Sequence, residues 1–195
     1  SQSAAERLKA VETLARYRDV IRRSDVLDGA GDFHAHTIHS DGGLSPAELV
    51  VRAWLNGAQS VAVTDHMTFE GVVEAMETAE LLGSVTVVPG IELYTREDDA
   101  GVGPLHTVVY LPQLRTSQEV RVFLDRLEAD DDPQLARINA ALRNRTEDTE
   151  RIRQAFNVRF REQGMEIPPD AFKQSGPTLM QFAEYLRRTY HGRFL

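Results

Sequence analysis

Five of the six histidines in this chain fall between positions 34 and 106, each at or near the end of an apolar run. His34 and His36 stand two apart in Asp32-Phe33-His34-Ala35-His36. That stretch reads as the end of a strand, so both side chains point to one face, where two imidazoles can grip one cation. Ser40-Asp41-Gly42 follows in a loop, from which Asp41 can turn back toward them, with Gly42 and Gly43 supplying backbone freedom. A second apolar run closes in Thr64-Asp65-His66. Both of its last side chains want water or a partner, and neighbours on a strand point to opposite sides. His66 is therefore a ligand candidate, and Asp65 an orienting group or a loop cap. Glu92 follows Pro89-Gly90-Ile91 at a third strand end, where a carboxylate can bridge two ions with one oxygen on each; His106 enters a fourth strand. Blander readings stand beside these: a turn residue for Asp41, a helix cap for Asp65, a surface pair with Arg96 for Glu92, a core histidine for His106. His39 reads as an exposed loop residue and His191 as a solvated side chain near the terminus.

The absence of cysteine excludes disulfides, thiolate metal sites and cysteine nucleophiles together. Any metal must then be held by His, Asp and Glu. Glu92 and Asp65 are the residues expected to serve the catalytic step, and His34, His36, Asp41, His66, Glu92 and His106 to hold metal.

The elements that must position these groups alternate. Residues 4–23 have the pattern of an amphipathic helix, followed by a turn near Gly29. Ser45-Pro46-Ala47-Glu48 is a capping box with proline at the first helical position, and that helix stops at Asn56-Gly57. Residues 60–64 form a second strand, 70–82 a helix closed by Gly83, 85–88 a third strand ended by Pro89-Gly90, and 105–111 a fourth ended by Pro112. Such alternation predicts parallel strands with crossover helices and chemistry at the strands' carboxyl ends. From residue 117 onward only helices are predicted, over 120–127, 133–163 and 179–190, with breaks at Gly164 and Pro168-Pro169. The expected organisation is an N-terminal helix over 1–27, an α/β metal-binding part over 28–114 and a helical region over 115–195.

The formal net charge is −8 over 195 residues, which argues against an extended nucleic-acid surface. No apolar run approaches the length of a membrane span, and the N-terminus lacks the pattern of a signal peptide, so a cytoplasmic protein is expected. Seven arginines between Arg137 and Arg161 could steer an anion, but interleaved acids make a solvated helix face the first reading.

Asp-Phe-His-Ala-His-Thr-Ile-His-Ser-Asp-Gly (32–42), Val-Thr-Asp-His (63–66), Pro-Gly-Ile-Glu (89–92) and His106, in that order, resemble the PHP (polymerase and histidinol phosphatase) family. The resemblance implies part of a distorted seven-stranded barrel with up to three metal ions at the strand carboxyl ends. His34, His36 and Glu92 would then serve one ion, Glu92 and His106 a second, and Asp41 and His66 a third. Mixed nitrogen and oxygen ligation suits Zn, Mn or Fe. Residues 137–164 with Gly176-Pro177 are similar to the helical insertion of the branch that hydrolyses nucleotides and short oligonucleotides. Thr178 stands where that branch commonly has a further histidine.

The family's later motifs, a histidine and a final Asp-x-His, lie beyond the reach of this sequence, which reads as a fragment of a longer protein rather than a reduced member. Four strands alone would leave an open sheet edge, to be covered by helices or by another copy of the chain. The function implied is hydrolysis of phosphate monoesters, nucleotides among them, by a metal-activated water. A non-catalytic, metal-stabilised remnant is the competing expectation. An amidohydrolase-like enzyme also fits His-x-His, but Ser-Asp-Gly and Pro-Gly-Ile-Glu weigh against it.

Overall fold

The computed structural model describes residues 2–24, 26–27, 29–95, 105–129, 132–169, 171 and 185–190. The first helix, α1 (Ala4–Ala15), opens on a capping box: the Ser3 hydroxyl accepts from the Glu6 N–H, and the Glu6 carboxylate accepts from the Ser3 N–H. It ends earlier than its pattern predicts. Tyr17 and Arg18 donate to the carbonyls of Leu14 and Ala15, three residues back, so the α ladder gives way to tighter turns.

Strand β1 (Gly31–Ala35), helix α2 (Pro46–Leu55), strand β2 (Ser60–Val63), helix α3 (Val72–Leu82), strand β3 (Thr86–Thr95) and strand β4 (Leu105–Tyr110) follow. The predicted capping box at Ser45 and Glu48 is present, and Gly83 closes α3 in the left-handed conformation. Sheet order is β1-β2-β3-β4. The first three strands are parallel, as the alternation predicts, but β4 runs antiparallel to β3. The connection, 96–104, is shorter than the dozen or so residues that a parallel crossover needs.

Pro89-Gly90 does not end β3. Residues 86–89 pair with β2, and residues 90–95 pair with β4. Proline lacks only its N–H, and its carbonyl still accepts from Leu111 at 2.8 Å. A Cβ on Gly90 would sit 3.0 Å from the Val109 carbonyl oxygen and 3.1 Å from the Thr64 side chain, so a larger residue at the switch of partners would have to push these neighbours back by a few tenths of an ångström. The sheet curls: the Tyr110 hydroxyl on β4 donates to the Phe33 carbonyl on β1 at 2.6 Å, although these are the outermost strands.

The core beneath the sheet is apolar, with Val50, Trp54, Val61, Val63, Val72 and Ile91 almost wholly buried. Helix α1 is tied to it by one carboxylate. Arg7 grips Glu74 of α3 with two bonds, of 2.7 and 2.6 Å, and the Ala47 N–H at the start of α2 donates to the same group at 3.2 Å. Hydrogen bonding to Glu74 raises the pKa of Arg7. Replacing Arg7 by alanine would strand a buried carboxylate. The expected loss is about 3 kcal/mol of stability, read by urea denaturation; a loss below about 1 kcal/mol would show the pair to be dispensable.

Helix α4 (Ser117–Ala129) packs on α3, and its Phe123 ring meets that of Phe69, in the segment before α3, edge to face at 5.5 Å. It belongs to the first of two compact units, 1–135 and 136–195. The second unit contains α5 (Ala136–Phe160) and a turn of 3-10 helix at Arg161–Gln163, closed by Gly164. Asn157 holds the following segment, accepting from the Ile167 N–H and donating to its carbonyl, each at 2.8 Å. Residues 185–189 are helical, while Thr178, His191 and Arg96 lie outside the described residues. Among the described residues, no helix is long and apolar enough to cross a membrane.

Candidate metal centre

Glu92 lies inside β3 rather than beyond its end, with its side chain almost wholly buried. Four imidazoles surround it. His34 Nε2 and His36 Nε2 stand 2.9 and 3.1 Å from Oε2, His66 Nδ1 stands 3.3 Å from Oε2, and His106 Nδ1 stands 2.7 Å from Oε1. The four come from the end of β1, the segment after β2, and β4. An isolated bridge between His66 and Glu92 extends the parallel pairing past the end of β2. His34 and His106 are half-exposed, so the cluster opens to solvent on one side.

Asp41 joins from the loop after β1. Its Oδ1 is 2.8 Å from His36 Nδ1 and its Oδ2 3.5 Å from His66 Nε2. Three overlapping groups result: His34–His36–Glu92, His36–Asp41–His66 and His66–Glu92–His106, with the ligand atoms of each within 4.8 Å of one another. The ligands of a tetrahedral ion at about 2.1 Å lie about 3.4 Å apart. The donor set, imidazole nitrogen and carboxylate oxygen at this spacing, is one that could hold a metal ion.

Asp65 points the other way. It is almost fully buried, and both its oxygens are committed to the loop: it accepts from the Thr37 N–H and hydroxyl, each at 2.7 Å, and from the Ser40 hydroxyl at 2.6 Å. Asp65 thus holds the loop that carries Asp41. Gly42 completes that loop, but space, not a left-handed φ, is what it supplies. A Cβ there would lie 2.1 Å from the His36 carbonyl oxygen, whereas a Cβ on Gly43 would meet nothing within 4 Å.

His39, predicted as an exposed loop residue, is instead mostly buried, with Nδ1 3.3 Å from the Glu70 carboxylate. Two features of the site escaped the motifs. Ser40 links Asp65 to His36, lying 3.4 Å from Nδ1. Met67, next to His66, adopts φ of 54°, a left-handed conformation uncommon outside glycine, while its N–H donates to the Glu92 carbonyl at 2.9 Å. A Ser beside a candidate ligand pair was visible in the sequence; the Met67 conformation had no residue-type signal.

Burial would raise the carboxyl pKa of Glu92, but hydrogen bonds from His34 and His106 and the fields of nearby imidazoles hold it below the usual range. Asp41 is also held low: burial opposes ionisation, and His66 and His36 outweigh it. Burial lowers His66, against the pull of Glu92. All three groups bind fewer protons in the folded chain than in the unfolded one, so their contributions to stability rise with pH. These contributions are present above the ordinary values and are lost as pH falls through the lowered ones. Thermal melts of the metal-free chain should therefore show a fall in Tm from about pH 6.5 to below about pH 4. A Tm independent of pH across that window would contradict the electrostatics described.

The family model described as the PHP domain matches residues 32–162. A 5'-3' exoribonuclease of Haemophilus influenzae is 39% identical over 71 residues, covering 36% of this chain and 26% of that protein. The 5'-3' exoribonuclease Rnm of Escherichia coli is 38% identical over 65 residues, 33% of this chain and 22% of its own. The chain therefore spans about a quarter of the length of these curated relatives. Among solved structures, a Bifidobacterium adolescentis protein described as a candidate metal-dependent phosphoesterase gives a TM-score of 0.56 at 24% identity, covering 83% of this chain and 50% of that one. An amidohydrolase from Chromobacterium violaceum, with bound sulfate and no metal, gives 0.53 at 22% identity over 81% of this chain and 49% of that one. At these identities the likeness is one of fold. Because the domain model spans well over half of the sequence, and spans the whole cluster around Glu92, this chain belongs to the PHP domain family.

Proposed function

We propose that the cluster around Glu92 is the metal-binding half of a phosphoesterase site acting on phosphate monoesters, with nucleotides and the ends of short RNA as the substrate class. The observation that carries this reading is the sharing of one buried carboxylate by four imidazoles at one end of the sheet. Bound divalent ions would supply the activation of a water and the neutralisation of phosphate charge. The chain's own groups would do the rest. His34, His36, His66, His106 and Glu92 would hold the ions, Asp41 would fix rings from behind, and Asp65 would keep the loop rigid. The half-exposed His34 and His106 mark the side from which a phosphate could approach.

The relatives described as exoribonucleases support a nucleotide-like substrate. The net charge of −8 favours a short substrate over an extended strand. Sulfate held by the C. violaceum protein is consistent with a tetrahedral anion on this fold. The Ser-Asp-Gly and Pro-Gly-Ile-Glu motifs favour phosphate over amide chemistry here.

The test is phosphate release from simple monoesters, mononucleotides and 5'-phosphorylated short RNA, with Mn, Zn or Fe supplied and with chelator. Metal-dependent turnover on at least one class is expected. Metal uptake that raises Tm without any turnover would favour the non-catalytic reading, and a flat response to every metal would remove both.

A further inference from the structure

At the amino ends of the strands, away from the cluster around Glu92, an open pocket of about 330 Å³ lies between the turns after α1, the last turn of α2 and the close of α3. Strand β3 starts just beyond it at Thr86, and Glu92 stands about 20 Å further along that strand. The pocket floor is apolar, with Trp54 and Leu82 almost wholly buried. Its rim carries two guanidinium groups. Arg23 lies over the Trp54 ring, 5.6 Å from its centroid. Arg18 reaches back to the Leu81 carbonyl at 3.5 Å, beside Gly83.

Each arginine has a structural use: Arg23 shields an indole, and Arg18 meets the carbonyl end of α3. Neither use occupies the five N–H donors of a guanidinium. The contacts of Arg18 are long, 3.5 Å to that carbonyl and 3.8 Å to the carboxylate of Asp19, which is almost fully exposed. No carboxylate among the described residues pairs with Arg23. Arg7 and Arg153, by contrast, each grip a carboxylate through two nitrogens. Ser84 adds a third donor. Its oxygen accepts from Trp54 Nε1 at 2.8 Å, which leaves the hydroxyl proton to give.

The surrounding charge agrees. Residues 16–23 set Arg16, Arg18, Arg22 and Arg23 against one acid, Asp19, in a chain of net charge −8. This patch draws anions where the rest of the chain repels them. Two guanidinium forks and a hydroxyl suit an oxyanion with three or more acceptor oxygens better than a carboxylate with two. We propose that this pocket binds a phosphate group, held by Arg18, Arg23 and Ser84 without any metal. Its volume leaves room for the organic part of a small phosphate ester.

Trp54 is the only tryptophan of the chain, so its emission reports on this pocket. In the test the full chain, kept metal-free with chelator, is titrated with inorganic phosphate, a nucleoside 5'-monophosphate and the parent nucleoside. A saturable change in emission is expected with both phosphates and none with the nucleoside. Tighter binding of the nucleotide assigns the site to an ester, and equal binding assigns it to free phosphate. Arg18→Gln should weaken binding about 10–100-fold, the loss expected for a hydrogen bond to a charged group. Arg18→Lys, which keeps the charge without the fork, should fall between. Arg18 is half-exposed, so both variants should fold, and their thermal melts check it. A change that never saturates, or that potassium chloride of equal ionic strength reproduces, would overturn the proposal. Unaltered affinity in Arg18→Gln or saturable binding of the nucleoside would do the same. Because no metal is present, such a failure leaves the reading of the Glu92 cluster untouched.

Discussion

Glu92→Gln is expected to remove bound metal and to lower kcat/KM by at least about 10³-fold, or about 4 kcal/mol of transition-state stabilisation. The size follows from position. Each of the two groups that share Glu92 needs its carboxylate, and no neighbouring acid can replace it, because Asp41 faces the opposite nitrogens of the shared rings. The amide keeps shape and volume but offers one neutral oxygen, so folding should survive while charge neutralisation fails. Metal analysis and phosphate release on the same preparation separate the outcomes. Full metal occupancy with full activity in the variant would show that Glu92 is only a partner for the imidazoles.

Asp65→Ala should have the largest effect on stability, about 4 kcal/mol. Three donors lose their acceptor together: the Thr37 N–H, the Thr37 hydroxyl and the Ser40 hydroxyl, with Thr37 and Ser40 both buried. Removing a charged acceptor leaves each donor desolvated. The loop also carries Asp41 and borders His36, so metal affinity should fall about 10–100-fold as well. Asp65→Asn provides the finer reading, since it preserves volume and one acceptor oxygen and should fall between wild type and alanine. Denaturant unfolding of the metal-free chain measures the first effect and zinc titration the second. A shift under about 1 kcal/mol in Asp65→Ala would mean that the loop is held by its backbone alone.

Local rules made much of this legible. Ser45 and Glu48 cap α2, Gly83 closes α3, and His34 and His36 meet the same carboxylate as strand periodicity predicts. The convergence of His34, His36, Asp41 and His66 follows from parallel strands that end on one side of the sheet, whereas Glu92 joins from within β3 and His106 from the start of the antiparallel β4. What the sequence concealed was tertiary. Pro89-Gly90 looks like a strand terminator, yet β3 passes through it because a second strand takes over its pairing. The direction of β4 depended on a connection shorter than a parallel crossover needs. His39 carries no periodicity to separate a buried histidine from an exposed one; only the approach of Glu70 does. The need for Gly42 lay in a backbone approach, which no local dihedral preference reveals.

The contact between Tyr110 and Phe33 has a thermodynamic consequence. A flat sheet would keep its first and fourth strands about 14 Å apart, yet curling brings His34 and His106 to the same carboxylate. Cations joined through Glu92 would then fasten the two margins of the sheet together, as a clasp closes a bracelet. They would shut a chain loop of about seventy residues, which in chain-entropy terms resembles a cross-link worth about 4 kcal/mol. Chelation should accordingly unfasten the strand margins first, so that amide exchange in β1 and β4 quickens before that in β2.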